Sequence, residues 1–336
     1  MSDVIDRFAV HPLTGVAANY AAASRGAGTR RAYDSAWSVF CAWCRDQGLD
    51  PYSGEGTIAL HITNMAQEGK ANSTIVGHLA AIQYEYRQAD VPLNMDASVL
   101  APVREGIART VGTAARHKAA PITPDELRLM LACLRPGTDP RGARDRALLL
   151  IGFGAALRRS EIVALAVGDI EEVQHRGLRV TVRRSKTDQG GAGVHVAVCG
   201  NPSDTSLCPV MAWRQWMAHR GAAIVVAGYL DAAQEQPLFC AVNKAGRLSG
   251  EPMYDGAVDQ LIKQTATRAG LDGKAYSGHS LRRGLLTSAS EAGVALKDLM
   301  RQARHKDPKV ALGYIDVADM WKRNASGAAF GASCPT

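Results

Sequence analysis

The 336-residue chain is long enough for two domains, and its 46% hydrophobic and 21% charged residues are typical of a packed globular protein rather than a disordered one. A net charge of +7 and an isoelectric point of about 9.1 are compatible with a polyanionic partner such as nucleic acid, without identifying one. The longest apolar run, 147–157, is too short to cross a membrane, and Asp3 and Asp6 stand where a signal peptide would carry basic residues. We therefore expect a cytoplasmic protein.

The first part of the chain has a helical pattern. Residues 1–20 show no hydrophobic period, and we interpret them as a mobile N-terminal arm. From 21 to 115, apolar residues recur at helical spacing and no strand pattern interrupts them. Thr29 is the predicted cap of the first helix and Gly48 its end. The predicted helices lie at about 29–48, 57–68, 72–86 and 98–111. Residues 21–115 are therefore predicted to form a small helical domain.

Residues 116–122 are predicted to link this domain to a second one. The surrounding stretch, 109–120, contains small residues and cations but no apolar stripe. Two interpretations of its basic residues stay open at this point. They form either a solvated loop or a strap that lies along a phosphate backbone.

The second domain is predicted over 123–336, with a C-terminal tail from 316. It begins at a capping box, in which Thr123 caps the helix, Pro124 takes the first helical position and Glu126 caps in return. The other helices are predicted at about 144–155, 160–165, 209–219, 254–269, 281–292 and 296–303, with a last one after Asp307 and Pro308.

One β-hairpin is predicted within this helical pattern. Valine and leucine alternate with polar residues at 178–183 and at 194–198, and the link 185–193 is rich in glycine. The fold class is thus mainly α with a small antiparallel β-sheet, an α+β arrangement.

Cysteine usage gives no sign of a disulfide framework or a zinc site. The seven cysteines are an odd number spread over the whole chain. Cys41 and Cys44 form a CxxC pair, but they lie in an aromatic helical pattern and no second pair has zinc spacing. Buried free thiols in a reducing compartment are the predicted state.

A set of separated side chains matches the needs of phosphodiester cleavage without a metal. The non-bridging oxygens need fixed cations, for which the planar, always-charged arginine fork is suited. A tyrosine can attack the phosphorus and keep the bond energy in an ester, and a lysine or histidine can protonate the leaving oxygen. The candidates for these roles are Arg158, Lys186, His279, Arg282, His305 and Tyr314.

The arginine candidates also have plain structural interpretations. Arg158 follows an apolar helix and could simply pair with Glu161. His279 and Arg282 are spaced i and i+3, so they share one helix face if the segment is helical. Such spacing arises often by chance, so neither motif alone identifies a function.

The remaining candidates are equally ambiguous when taken singly. His305 precedes Tyr314 across a predicted helix start, which could bring the two rings together. Tyr314 alone is more often half-buried packing, and Lys186 on a hairpin tip is usually solvated.

Taken together, in order and local context, the candidates resemble the active-site pattern of the tyrosine recombinases, the phage integrase family. The resemblance covers about 123–315, and the helical first domain resembles the family's core-binding domain more loosely. The matching segments are 156–162 (ALRRSEI), 184–187 (RSKT), 279–284 (HSLRRG), 304–305 (RH) and 313–315 (GYI).

The resemblance implies a role for each candidate and needs neither cofactor nor metal. Arg158 and Arg282 would clamp the scissile phosphate, and Tyr314 would attack it to leave a 3′-phosphotyrosyl link. Lys186 would protonate the leaving 5′ oxygen. The supporting groups would be His279 as acid or base and His305 as a hydrogen-bond donor to the phosphate.

The resemblance also implies an assembly. The family's two domains clamp double-stranded DNA, and a homotetramer holds two duplexes and exchanges strands through a Holliday junction. The enzyme would be a monomer or dimer off DNA, associated with the nucleoid when bound. The tail after Tyr314 would dock on a neighbouring protomer, a role that Trp321 fits.

Some positions depart from the commonest family pattern. Ala156 replaces a glycine before Leu157, and Arg283-Gly284 stands where His-Thr is frequent. Arg304 replaces the glycine that usually precedes the last histidine; it either adds a cation near the phosphate or faces solvent.

Contacts to DNA outside the site are weakly indicated, since a solvated surface charge explains each basic residue equally well. Such contacts would position the enzyme without selecting a sequence. The candidates are Arg25, Arg30, Arg31, Lys70, Arg116 and Lys118 in the first domain, and Arg183, Arg184, Lys244 and Arg247 in the second.

The main functional prediction is a site-specific DNA recombinase of the integrase or resolvase type. A type IB topoisomerase would use a similar site as a monomer, without a paired DNA site. A DNA-binding regulator would keep the same residues for structure only. A metal nuclease is weakly supported, because Asp298 and Asp307 are isolated carboxylates in the motif region.

Overall fold

The computed structural model describes residues 25–114, 119–183, 193–226, 232–243 and 245–319, with a few positions before residue 25. The chain divides into two compact units, Met1–Lys118 and Ala119–Thr336, and each is described by itself. Helices dominate both, and the second also holds small antiparallel sheets, which confirms the predicted fold class. The finer boundaries drawn from the sequence stay predictions. Among the described residues, no helix is long and apolar enough to cross a membrane.

The first unit is a helical bundle. Its core is apolar and aromatic, with Phe40, Ile58, Ile62 and Tyr86 fully buried. Its helices are α1 (Ala27–Gln47), α2 (Glu55–Gln67), α3 (Asn72–Gln88) and α4 (Ala101–Val111).

The two ends of α1 show what local sequence predicts well and badly. Gly48 ends the helix with a φ of +67°, as predicted, because a left-handed residue is easiest for glycine. The predicted cap Thr29 is wrong. The cap lies three residues earlier, at Gly26, and no side chain caps the helix.

A histidine lies in the core of the first unit. His61 is 2% exposed and packs against the rings of Phe40 and Trp43. Neither of its ring nitrogens has a hydrogen-bond partner in the described part of the chain. Burial first, and then the neighbouring His78, lower the pKa of His61 to about 4, so its ring is neutral at neutral pH.

The second unit is built around one apolar helix, α6, in which Leu148, Leu149 and Ile151 are fully or almost fully buried. Its helices are α5 (Pro124–Ala132), α6 (Pro140–Gly154), α7 (Arg159–Val163), α8 (Pro209–Val226), α9 (Asp255–Arg268), α10 (Gly278–Glu291), α11 (Leu296–Ala303) and α12 (Pro308–Asp319). Its strands are β1 (Ile170–Val173), β2 (Gly177–Val182), β3 (Val194–Cys199), β4 (Cys240–Val242) and β5 (Leu248–Pro252).

The predicted hairpin is present as β2 and β3, which pair antiparallel with Val182 opposite Val194. The sequence missed β1, which adds to the other edge of β2 to give the order β1-β2-β3. It also missed the separate β4-β5 hairpin, whose short strands lack clear alternation.

The start of the second unit is defined by a capping box at α5 and by a close contact between α10 and the segment before α5. The predicted capping box is confirmed, since Thr123 Oγ1 accepts from the Glu126 backbone and the Glu126 carboxylate accepts from the Thr123 backbone. Gly284 then lets α10 approach the strand-like segment before α5. A Cβ on Gly284 would lie 1.8 Å from the carbonyl oxygen of Ile122.

Candidate active site

Arg158 lies just after the turn that follows α6. Helix α6 ends at Gly154, and Ala156 takes a left-handed conformation with a φ of +48°. After it Leu157 is completely buried, and Arg158 is extended at the start of α7. Ala156, which replaces the glycine of the commonest family pattern, thus occupies a left-handed position that glycine adopts more easily.

Glu161 holds Arg158 at two points. Its carboxylate accepts the Arg158 backbone N–H at 2.9 Å and the Arg158 Nη1–H at 2.6 Å. The ion pair between Arg158 and Glu161, which the sequence suggested as a purely structural role for Arg158, is thus present. It leaves other N–H groups of the guanidinium for a ligand, and the side chain keeps 15% of its surface exposed.

Arg282 lies on α10 and is buried, at 3% exposure. Its Nη1 donates to the carbonyl oxygen of Ala156 at 2.7 Å, and its Nη2 donates to that of Ala303. Burial first, and then the charges of Arg158 and Arg304, lower its pKa to about 10. Neighbouring cations that lower an arginine pKa mark a place where an anion is favoured.

His279 lies in the first turn of α10, one helical turn before Arg282. The Ser277 hydroxyl accepts the His279 backbone N–H at 3.3 Å and caps the helix. Partial burial first, and then Arg282 and Arg158, lower the pKa of the His279 imidazole. The ring is therefore neutral at neutral pH and able to accept a proton.

His305 and Tyr314 lie together, as the sequence predicted. Their rings are nearly parallel, at 15°, with centroids 6.3 Å apart. Tyr314 is half-buried on α12 and packs against a small apolar cluster that includes Leu286 and Leu299. Burial first, and then Arg282 and Arg158, lower the pKa of His305 to about 4. Its Nδ1 is buried without a hydrogen-bond partner among the described residues.

Arg304 does not face solvent, which makes one of its two sequence interpretations wrong. Its side chain is 5% exposed and forms an ion pair with Glu161 at 2.7 Å. It is also the left-handed residue that ends α11, with a φ of +57°. The next backbone N–H, that of His305, donates to the Met300 carbonyl at 3.0 Å and completes the helix end.

Other contacts that sequence reasoning missed hold the same region. Gln302 Nε2 donates to the carbonyl oxygens of Gly154 at 2.7 Å and Ala197 at 3.0 Å, so it ties α11 to the end of α6 and to β3. Arg159 pairs with Asp259 at 2.6 Å and ties α7 to α9. Gln302 and Asp259 lie outside the matching motifs, so no sequence pattern marked them as part of this region.

Lys186 lies outside the described residues, as do Arg116, Lys118, Arg184 and Lys244. The strands β2 and β3 that flank the Lys186 segment are described and pair up to Val182 and Val194. The placement of Lys186 relative to the other candidates therefore stays a prediction.

The described DNA-contact candidates differ in how they are engaged. The guanidinium of Arg25 stacks over the rings of Tyr33 and Tyr84, at 5.3 and 4.7 Å from their centroids. Arg183 is held by two carboxylates, Asp169 at 2.6 Å and Glu235 at 2.7 Å.

The other candidates lie at the surface. Lys70 makes an exposed ion pair with Glu68 at 3.6 Å. Arg30, Arg31 and Arg247 are exposed. Arg183 is exposed as well, but its two carboxylate partners would have to be displaced before it could bind a polyanion.

The region thus brings Arg158, Arg282 and Arg304 close to the Glu161 carboxylate, with two neutral imidazoles and a tyrosine beside them. In the described part of the chain no group of histidines, cysteines and carboxylates is placed to hold a metal ion. The arrangement is suited to binding a single anionic group next to a nucleophile.

Comparison with known proteins relates the chain to one family. The sequence pattern of the "Phage integrase family" matches residues 121–320. Over 309 residues the chain is 33% identical to the "Integrase/recombinase xerD homolog" of Selenomonas ruminantium, which covers 90% of this chain and 85% of the relative. It is 23% identical over 282 residues to "Recombinase cre" of Escherichia phage P1, which covers 82% of this chain and 80% of the relative.

Solved structures resemble the fold. The XerH site-specific recombinase bound to palindromic difH substrate, a post-cleavage complex, matches with a TM-score of 0.57 over 82% of this chain and 72% of that one, at 14% identity. A lambda integrase(75-356) dimer bound to a COC' core site matches with a TM-score of 0.55 over 94% of this chain and 95% of that one, at 16% identity. At these identities the likeness concerns the fold.

Proposed function

Since the chain belongs to the phage integrase family and is a site-specific tyrosine recombinase, we propose that Tyr314 is the nucleophile that cleaves DNA at the site described above. Its phenolic oxygen attacks the scissile phosphorus and forms a 3′-phosphotyrosyl ester, and the bond to the 5′ oxygen breaks. Attack by a 5′-hydroxyl from the other duplex reverses the step and joins the exchanged strand.

Arg158 and Arg282 bind the non-bridging oxygens of that phosphate. Both are fixed before any ligand arrives, Arg158 by Glu161 and Arg282 by the carbonyls of Ala156 and Ala303. Cations positioned in advance stabilise the charge that develops in the transition state without further reorganisation. The pKa of Arg282 is lowered by burial first and then by the charges of Arg158 and Arg304, and a phosphate bound beside these cations would be stabilised by them.

The histidines and Lys186 move protons. His279 and His305 are neutral at neutral pH, because their pKa values are lowered. His279 can therefore accept a proton as a base and act as an acid once it carries that proton, while His305 donates a hydrogen bond to the phosphate. Lys186, on the hairpin between β2 and β3, protonates the departing 5′ oxygen. Among these roles, that of Lys186 depends on the family resemblance alone.

The partner is double-stranded DNA. Residues 21–115 form the core-binding domain and 123–336 the catalytic domain, joined by the linker 116–122. Basic residues of both domains contact the phosphate backbone, and the exposed Arg30, Arg31 and Arg247 are favoured for this role by their accessibility. The working assembly is a homotetramer on two duplexes, which proceeds through a Holliday junction in the cytoplasm at the nucleoid.

The observation that carries the proposal is the convergence of Arg158 and Arg282 beside the His305–Tyr314 ring pair. A non-catalytic regulator has no need of a buried arginine whose hydrogen bonds, in the described part of the chain, go to backbone carbonyls, since burying such a charge is unfavourable. The relatives are recombinases, which favours strand exchange over topoisomerase activity.

A nicked DNA substrate with the attachment site tests the proposal. Without divalent metal, the wild-type protein forms a covalent adduct on a denaturing gel, Tyr314→Phe forms none, and the control Tyr254→Phe, at an exposed tyrosine, behaves as wild type. DNA binding by all of them is checked by gel shift. An undiminished adduct with Tyr314→Phe contradicts the proposal. Joining between two duplexes, rather than relaxation of one, separates recombinase from topoisomerase activity.

A further inference from the structure

Arg304 occupies a backbone position that does not suit an arginine. It ends α11 in the left-handed conformation, with a φ of +57°. Glycine is the unstrained choice there, because every side chain with a Cβ is disfavoured in that region. A side chain kept at such a position, and buried as well, has to form contacts that offset both the strain and the loss of hydration.

The guanidinium of Arg304 binds the end of α6. Its Nη1 donates to the Ala155 carbonyl at 2.9 Å and to that of Gln302 at 3.3 Å, while Nη2 donates to the Ala156 carbonyl at 3.2 Å and to Glu161 Oε2 at 2.7 Å. The last carbonyls of a helix lack partners within the helix and carry partial negative charge, so a cation is favoured there. Both of its Nη groups are committed to the protein.

These acceptors are the ones that also hold the two proposed phosphate ligands. The Ala156 carbonyl accepts from Arg304 and from Arg282, and the Glu161 carboxylate accepts from Arg304 and from Arg158. One side chain, adjacent in sequence to His305, therefore shares an acceptor with each arginine of the clamp.

Loss of the ion pair with Arg304 would change how Glu161 holds Arg158. With Arg304 in place its negative charge is divided between two guanidinium groups. Without Arg304, Arg158 would be the one cation left on a carboxylate that is 2% exposed, and the ion pair would draw Arg158 away from a phosphate.

We propose that Arg304 is a positioning residue for the recombination reaction. It sets the distance and orientation between Arg158 and Arg282 by binding Glu161 and the Ala156 carbonyl, and it does not contact the phosphate. This inference rests on the proposed roles of Arg158, Arg282 and Tyr314. It assigns a function to a residue that stands where the family usually has glycine.

Single-turnover cleavage of a saturating suicide substrate tests the proposal with Arg304→Gly, Arg304→Lys and a control, Arg301→Ala, whose side chain is 80% exposed on the same helix. We expect Arg304→Gly to lower the cleavage rate about 100-fold, the size of effect that misplaced catalytic groups produce. The DNA dissociation constant should stay within about 3-fold, because Arg304 itself makes no contact with DNA and the phosphate contacts of the other residues remain. The control should match wild type in both.

Two further readouts separate positioning from folding. Added guanidinium ion should restore part of the Arg304→Gly rate and leave wild type unchanged. The acid limb of the pH–rate profile should shift to higher pH in Arg304→Gly, because loss of a nearby cation raises the pKa of His305. Arg304→Lys keeps the positive charge but not the planar guanidinium. Its pH–rate profile should therefore lie close to that of wild type, while its cleavage rate should stay lower. If Arg304→Gly does not fold, Arg304→Lys carries the comparison on rate and affinity.

Wild-type rate and profile in Arg304→Gly, or in Arg304→Lys if the glycine variant is unfolded, would overturn the proposal. A parallel loss of DNA affinity and rate would overturn it in favour of a direct phosphate contact. Failure of wild type itself to form an adduct through Tyr314 would instead count against the proposed function.

Discussion

Replacing Glu161 by glutamine should destabilise the second unit strongly. The carboxylate is 2% exposed and accepts from the Arg158 backbone, from Arg158 Nη1 and from Arg304 Nη2, at 2.6 to 2.9 Å. Glutamine has one acceptor oxygen, so its amide nitrogen would face an arginine donor, and the buried Arg304 and the partly buried Arg158 would lose their counter-charge. Removing one partner of a buried ion pair costs about 3–5 kcal/mol.

The direction of the pKa shift of Glu161 agrees with the sign of this effect and gives its pH dependence. Burial alone would raise that pKa, but the charge of Arg304 and the hydrogen bonds from Arg158 outweigh it and lower the pKa. The stabilisation is therefore fully present above the unfolded-state pKa of about 4.3 and is lost as the pH falls through the folded-state pKa. The difference between wild type and Glu161→Gln should shrink in acid.

Urea and thermal unfolding at neutral pH measure the effect. We expect a loss of about 4 kcal/mol, which corresponds to a melting temperature about 10 °C lower for a domain of this size. The control is Glu251→Gln, at an exposed position on β5, which should change stability by less than about 0.5 kcal/mol. A Glu161→Gln protein within about 1 kcal/mol of wild type would refute the view that this carboxylate holds the arginine cluster together.

Further substitutions give separate outcomes. Gly284→Ala should cost about 3 kcal/mol or more in urea unfolding, because its Cβ would lie 1.8 Å from the Ile122 carbonyl; a change below about 1 kcal/mol would contradict the close approach. Tryptophan fluorescence should show the first unit losing up to about 3 kcal/mol from pH 6.5 to about 4, because buried His61 must be neutral when folded. His61→Phe should flatten this dependence, and an unchanged slope would assign it to other groups. Arg282→Lys should slow cleavage about 100-fold at unchanged DNA affinity, since lysine cannot reproduce the fork; cleavage at the wild-type rate would contradict a clamp role.

Features set by neighbouring residues could be predicted from the sequence. The capping box at Thr123 and the helix end at Gly48 depend on contacts within a few residues, and both are present. Alternation identified β2 and β3 because one face of the hairpin is buried. The helical register of His279 and Arg282 followed in the same way.

Features set by distant contacts could not be predicted. Arg144 and Asp145 are buried as an ion pair on α6, and Arg144 Nη1 donates to the carbonyl of the distant Cys240 at 3.0 Å, although their sequence pattern is that of a surface. Arg304 reads locally as an ordinary basic residue at a helix end. Its burial depends on Glu161 and Ala156, which lie more than a hundred residues earlier in the chain.

The chemical identity of the covalent link between protein and DNA tests most directly whether Tyr314 is the nucleophile. A trapped protein–DNA complex can be digested with protease and nuclease, and the modified peptide sequenced by mass spectrometry. We expect a nucleotide joined through its 3′ phosphate to Tyr314, with a free 5′-hydroxyl on the other strand end. A link to another residue, or through a 5′ phosphate, would contradict this expectation.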